Sequence, residues 1–191
     1  MANARGGSMP FQVDAYTTGG VASGVLARAG HLREILEQDH EVTLERVRWR
    51  PIDGESVAAG TVTLPIDEVL IATSDDDSTV PVHATWHAIR VELGPYVVEG
   101  DMPTQPGFDP GRALTRPSGE FVLLRDVRLG RRDPDSDGST PIETVAIGHH
   151  ALVNRYVVET VAADLMLGFF FPGAHMAQTD LAPTTGVETT A

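Results

Sequence analysis

Lysine and cysteine are both missing from this chain of 191 residues. Without lysine there is no Schiff-base chemistry, no lysine general base and no lysine for a phosphate-binding P-loop. Without cysteine there is no disulfide, no thiolate nucleophile and no cysteine-ligated zinc or iron–sulfur cluster. Long apolar runs are scarce as well. None approaches the roughly 18 residues that a membrane-spanning helix needs. The opening nine residues, MANARGGSM, lack the apolar stretch of a signal peptide, so the expectation is a soluble, cytoplasmic protein.

Basic charge is thin too. Fourteen arginines face 27 acidic residues, for a formal net charge of −13. Such a chain repels a phosphate backbone unless a local basic stripe overrides the field. The arginine sets Arg46, Arg48, Arg50 and Arg125, Arg128, Arg131, Arg132 are interleaved with acids, so the expectation is no nucleic-acid partner. Thirteen prolines and nineteen glycines favour turns and short strands.

What is present is a line written twice. TLERVRWRP and LLRDVRLGR lie 80 residues apart, measured from Val47 to Val127. In the first, Val42, Leu44, Val47 and Trp49 are apolar around Glu45 and Arg46. In the second, Val122, Leu124, Val127 and Leu129 are apolar around Arg125 and Asp126. The alternation slips by one residue at the charged pair in both, which predicts a bulged, strongly bent strand.

The match extends in both directions. Upstream, Phe11, Val13 and Ala15 alternate as Ile89, Val91 and Leu93 do, and the segments run to Gly24 and Gly100. A short helix is predicted next in each, HLREILEQ and then DPGRALTR, where Asp109 caps and Pro110 takes the first helical position. Downstream, Val62 and Leu64 match Val145 and Ile147 at an offset of 83, with a breaker following, Pro65 or Gly148. This alignment sets His149 opposite Ile66 and His150 opposite Asp67, and gives the second copy three extra residues in its Asp-rich turn.

The fold class expected is mainly β: two tandem, pseudo-symmetric, small antiparallel β-barrel repeats, each with one short helix. Residues 1–9 would be a disordered N-terminus, 10–74 the first barrel and 75–86 a linker or shared strand. Residues 87–161 would be the second barrel, 162–172 an apolar C-terminal segment and 173–191 a disordered tail. The stretch from Gly24 through HLREILEQ into EVTLERV resembles an uncharacterised bacterial small-barrel domain family whose core reads R-L-S-D-x-L-N. Here His31-Leu-Arg-Glu-Ile-Leu-Glu stands in that place, and the second copy keeps Arg112 and Leu114. The resemblance implies an Sm-like barrel in tandem and brings no activity with it.

Chemistry-bearing residues are few. His83, His87, His149 and His150 are the candidate metal ligands, with no other cofactor implied. Adjacent strand residues such as His149 and His150 face opposite ways, which works against both gripping one ion. Asp133, Asp135 and Asp137 before Gly138 imitate a calcium loop, as Asp75, Asp76 and Asp77 do in part, but a solvated turn accounts for either run. No nucleophile elbow or phosphate loop is written here.

Leu165, Met166, Leu167, Phe169, Phe170 and Phe171 follow the second copy and are surplus to it. They either fold back on the chain or form a subunit interface. The leading functional expectation is a non-enzymatic interaction or assembly protein, a homo-oligomer or subunit of a larger complex. The alternative is a metal-dependent enzyme or small-ligand-binding barrel using the four histidines.

Overall fold

Strand alternation drives the architecture from its first residues. In β1 (Gln12–Thr17) the side chains of Val13 and Ala15 are buried, and β2 (Gly20–Leu26) folds back on it across a tight turn. The computed structural model describes residues 11–75, 81, 83–105, 119–132, 143–163 and 165–177. Helix α1 (Leu32–Gln38) follows and buries Leu32, Ile35 and Leu36. Next come β3 (Glu41–Pro51), β4 (Val57–Pro65), a 3₁₀ turn at Ile66–Glu68 and β5 (Ile71–Ser74). The second half contains β6 (Thr85–Leu93), β7 (Tyr96–Thr104), β8 (Phe121–Arg131), β9 (Glu143–Asn154) and β10 (Thr160–Ala162). A 3₁₀ segment, Leu165–Phe170, and β11 (His175–Met176) close the described chain.

The protein is thus mainly β. Its strands make one continuous open sheet, in the order β11-β10-β6-β7-β8-β9-β5-β1-β2-β3-β4, where two separate sheets were expected. Continuity comes from β9, which pairs antiparallel with β5 and so carries the ladder from one half into the other. On either side of that junction the connectivity is the same, fifth strand beside first, then second, third and fourth.

The two halves also agree residue by residue. Gly20 faces Pro51 and Ser23 faces Arg48, as Tyr96 faces Arg131 and Glu99 faces Arg128. Three backbone hydrogen bonds outside the ladders recur in pairs: Ile52 to Gly19 and Arg132 to Pro95, Ile66 to His40 and Arg155 to Glu120, Leu70 to Tyr16 and Glu159 to Glu92. The slip at the charged pair is a backbone event in both, since Arg46 (φ 54°) and Asp126 (φ 51°) are the non-glycine residues with positive φ among those described. That left-handed step absorbs the odd residue in the ladder and lets the strand bend.

These pairings correct the alignment read from sequence. Val13, not Phe11, is the counterpart of Ile89, because each lies opposite a glycine, Gly24 or Gly100. Leu64 corresponds to Val153, not Ile147, because Val42 faces Leu64 and Val122 faces Val153. The β8–β9 hairpin is therefore longer by nine residues, not three: 18 positions separate Leu44 from Val62, and 27 separate Leu124 from Ala151. Ile147 faces Arg128 as Ala58 faces Arg48, so it takes the place of Ala58 and is 81% exposed, and the extra residues lie beyond Ala146. His149 and His150 move with the alignment, to the neighbourhood of Gly60 and Thr61. The expected helix at 109–116 and the Asp133–Gly138 turn lie outside the described residues. The first strand of the second half starts at Thr85, inside the segment 75–86 expected to be a linker or shared strand.

Two apolar clusters result. One gathers Val13, Ala15, Leu32, Leu36, Val42 and Leu44 with others of the first half. The second gathers Ile89, Val91, Val98, Leu124, Val127 and Val161 with others of the second. Each needs a close crossing of its second and third strands. A Cβ on Gly24 would come within 2.9 Å of the Glu45 carbonyl oxygen, and one on Gly100 within 2.9 Å of that of Arg125. Gly24→Ala and Gly100→Ala are each expected to cost about 1–3 kcal/mol, the usual penalty of overpacking. Urea unfolding of the two variants measures this. Midpoints unchanged in both would show that the strands have room to separate.

Candidate functional site

The β9–β5 junction brings together more side chains than either half could arrange alone. Ile71 faces Val153, Ala72 faces Leu152, and the Asn154 N–H donates to the Leu70 carbonyl at 2.9 Å. Because successive strand residues point to opposite faces, each half sends side chains into the other's core. Tyr16, Val21, Leu70 and Ile71 join the second cluster, while Phe121, Leu123 and Leu152 join the first. Arg131 donates to the Ile52 carbonyl and pairs with Asp53 at 3.6 Å, and Arg33 donates to the Phe121 carbonyl at 3.3 Å.

Tyr16 and Tyr96 meet edge to face, with ring centroids 5.5 Å apart and planes at 86°. Burial raises the Tyr16 pKa to about 12, helped by the Asp14 carboxylate. Arg50 and a hydrogen bond with the Thr73 side chain pull the other way. Tyr96 is shifted upward for the same leading reason, and its buried hydroxyl has no hydrogen-bond partner among the described residues. Nothing in the sequence marked either tyrosine, since their pairing depends on how the halves dock.

Beside the junction an open cleft of about 810 Å³ is lined by Asp14, Asp75, Arg125, Asp126, His149 and His150, among others. The rings of His149 and His150 are 6.4 Å apart and tilted by 46°. His87 shares a 2.9 Å hydrogen bond with the Thr104 hydroxyl, and His83 is exposed before β6. The cleft brings together His149 and His150, with His83 and His87 not among its lining. Among the described residues no three or more His, Cys, Asp or Glu side chains are grouped so as to hold a metal ion. Arg125 is already engaged, lying 3.9 Å from the centre of the Trp86 ring and pairing with Asp101 at 3.3 Å.

The two ends of the sheet differ sharply. At one end β4 is nine residues long, mostly exposed and free of charge, with Val57 53% exposed. Beyond it no strand of the described chain adds to the ladder. At the other end β11 runs parallel to β10 over Thr160–His175 and Val161–Met176. Among the bonds that hold it are the His175 N–H on the Glu159 carbonyl (2.7 Å) and the Ala177 N–H on the Val161 carbonyl (2.8 Å).

The apolar C-terminal segment leads to β11. Leu167 and Phe171, each 2% exposed, lie in the chain's own second core, and Phe170 packs against it. The burial of Leu167 and Phe171 is thus within the chain itself. The side chains of Leu165, Met166 and Phe169 lie outside the described part. The return of the chain was legible in one place, Pro172-Gly173 directly after the apolar run, a turn signal. No helix among the described residues is long and apolar enough to cross a membrane. No family model, curated protein or solved structure matches the chain.

Two measurements follow. Leu167→Ala is expected to destabilise by about 2–5 kcal/mol and Phe171→Ala by about 3–5 kcal/mol, read by chemical unfolding. A loss below about 0.5 kcal/mol, the usual size of a surface substitution, would contradict core packing of the segment. For Tyr16 the folded pKa lies above the usual value of 10.0. Its contribution is therefore complete below pH 10 and fades as the pH rises from 10 towards about 12. Tyr16→Phe should flatten that alkaline loss, seen in melting temperatures taken from neutral pH to pH 12. An equally steep loss in the variant would assign it to other groups.

Proposed function

We propose that this chain is a non-enzymatic assembly protein, a tandem pair of Sm-like β-barrel units that works as a subunit of a homo-oligomer. The observation that carries the reading is the β4 edge: nine uncharged, mostly exposed residues at the end of the sheet, in a chain of net charge −13. Natural edge strands are usually shielded by charges, cover or brevity, because an open edge templates the pairing of another chain. The shielding β4 has is a bulge near Gly60 and a proline, Pro65, at its end. A second copy is the occupant proposed, because β9 holds the corresponding place in the second half and there pairs antiparallel with a strand of this same chain. Support for the tandem barrel comes from the repeated strand connectivity, the shared left-handed step and the two apolar clusters.

Placing charge on the edge tests the reading. Thr61 and Thr63 are exposed on β4, and the double variant Thr61→Lys, Thr63→Lys should shift the protein towards monomer in sedimentation velocity at matched concentrations. A wild-type chain that stays monomeric at every concentration, or an oligomer indifferent to both lysines, removes the proposal. The cleft supports a second reading, a small-ligand or metal site using His149 and His150. Stoichiometric zinc, iron or manganese in the purified protein, lost in His149→Ala, would establish it, and a metal-free protein would count against it.

A further inference from the structure

At one matching place in each half a backbone carbonyl receives a backbone donor from outside that half's own five strands. Leu70 and Glu159 hold equivalent places, because the Leu70 N–H donates to Tyr16 and the Glu159 N–H to Glu92. The Leu70 carbonyl is taken by Asn154 of β9, a strand of the neighbouring half. The Glu159 carbonyl is taken by His175 of β11. The C-terminal strand therefore stands on β10 where a fourth strand stands on β5.

The substitute is a weak one. Like β9 on β5 it pairs over two residues, but it does so in the parallel sense, and parallel ladders are slightly less stable per residue than antiparallel ones. His175, Met176 and Ala177 are all exposed. The anchoring of the segment lies elsewhere, in Leu167 and Phe171, so the pairing residues can leave β10 without those two side chains leaving the core. A Cβ on Gly168 would fall inside the Met176 side chain, so this glycine makes room for β11.

At the far end of the sheet, β4 is the fourth strand whose outer side meets no other strand among the described residues. Its register places Thr63 where Leu152 stands in β9, and Pro65 where Asn154 stands. Thr63 keeps its backbone donor. Pro65 has none, so β4 lacks the group that Asn154 uses on Leu70.

We propose that β11 is an intrachain plug that competes with β4 of a second copy for the edge of β10, and so sets the concentration at which copies link head to tail. This rests on the reading of β4 as the contact strand, and it names the strand that β4 meets and the segment that regulates the meeting. Such a contact is heterologous: it leaves a free β4 at one end and a β10 edge at the other, so it propagates until a ring closes or a filament grows. Pro65 tempers the same contact from the other side by withholding one hydrogen bond.

The experiment uses the full chain in sedimentation velocity across a concentration series, with circular dichroism to show that each variant is folded. His175→Pro with Ala177→Pro removes both donors from β11 and leaves Leu167 and Phe171 in place. Half-association should occur at a concentration about tenfold lower than in the wild-type chain, corresponding to roughly 1.4 kcal/mol taken from the competitor. Adding Pro65→Asn restores the missing donor and should tighten association further. Adding Thr63→Pro removes the neighbouring outward donor and should weaken it; non-specific aggregation would respond to neither. A folded double-proline variant that associates no more readily than the wild-type chain overturns the plug. Association that rises but ignores both Pro65→Asn and Thr63→Pro overturns β4 as the strand that replaces it. Should the double variant fail to fold, Ala177→Pro alone decides the question, since it removes one bond at an exposed position after β11. The lysine variants of β4 in an otherwise wild-type chain test the earlier reading separately, because there β11 is intact.

Discussion

The antiparallel pairing of β9 with β5 is the interaction on which the rest of the molecule depends. It spans few residues, yet it fixes the phase of both strands. Phase decides which side chains cross: Ile71 goes to the second core because Ala72 goes to the first, and Leu123 reaches the first core because Val122 and Leu124 turn to the second. Each half spans about 60 to 80 residues, a size at which a core buries too little surface for a comfortable margin of stability. Exchange of Tyr16 and Ile71 for Phe121 and Leu152 gives both halves apolar cover that neither encodes alone. The buried Tyr16–Tyr96 pair sits on this exchange, and the raised pKa of both tyrosines follows from it.

Charge is arranged to leave that junction uncontested. Arg90 pairs with Glu92 and Glu99, and Arg132 pairs with Glu92 and Glu159, on the face of β6, β7 and β10. Such partly exposed pairs contribute little stability individually. Their effect is on register, because like charges facing each other across strands are unfavourable. Using arginine throughout suits this, since a planar guanidinium can pair and stack at once, as Arg125 does between Asp101 and Trp86. At the junction Arg131 adds a contact to the backbone of Ile52, a further tie between the halves.

Much of the fold was legible because two strands announce the same irregularity. The slip between Leu44 and Val47, and again between Leu124 and Val127, became the left-handed step at Arg46 and Asp126. Alignment of the flanking strands failed for a specific reason. A strand has a period of two, so displacing one copy by an even number of residues leaves every inward position inward. The errors were two residues at Val13 and six at Leu64, both even, and an alternating pattern cannot detect either. Hydrogen bonding could, and it moved His149 and His150 from the end of a strand to its bend. The tyrosine pair and β11 were illegible for another reason: one depends on docking of the halves, and the other is two exposed residues with no alternation.

A two-residue parallel strand would not survive on its own in water. That β11 holds its place reflects what precedes it. Leu167 and Phe171 fix the 3₁₀ segment in the core, and the turns at Gly168–Phe171 and Phe171–Ala174 deliver His175 to the Glu159 carbonyl with little chain entropy left to lose. Tethering of this kind raises the effective concentration of a weak binding segment far above that of a free one. Anchor and cover are thus separate: apolar burial secures the segment, while a short parallel ladder closes the edge. The closing part can open at the cost of that short ladder, and the anchor returns it afterwards. An edge closed so lightly is protected against casual pairing while remaining open to a strand that pairs in the antiparallel sense.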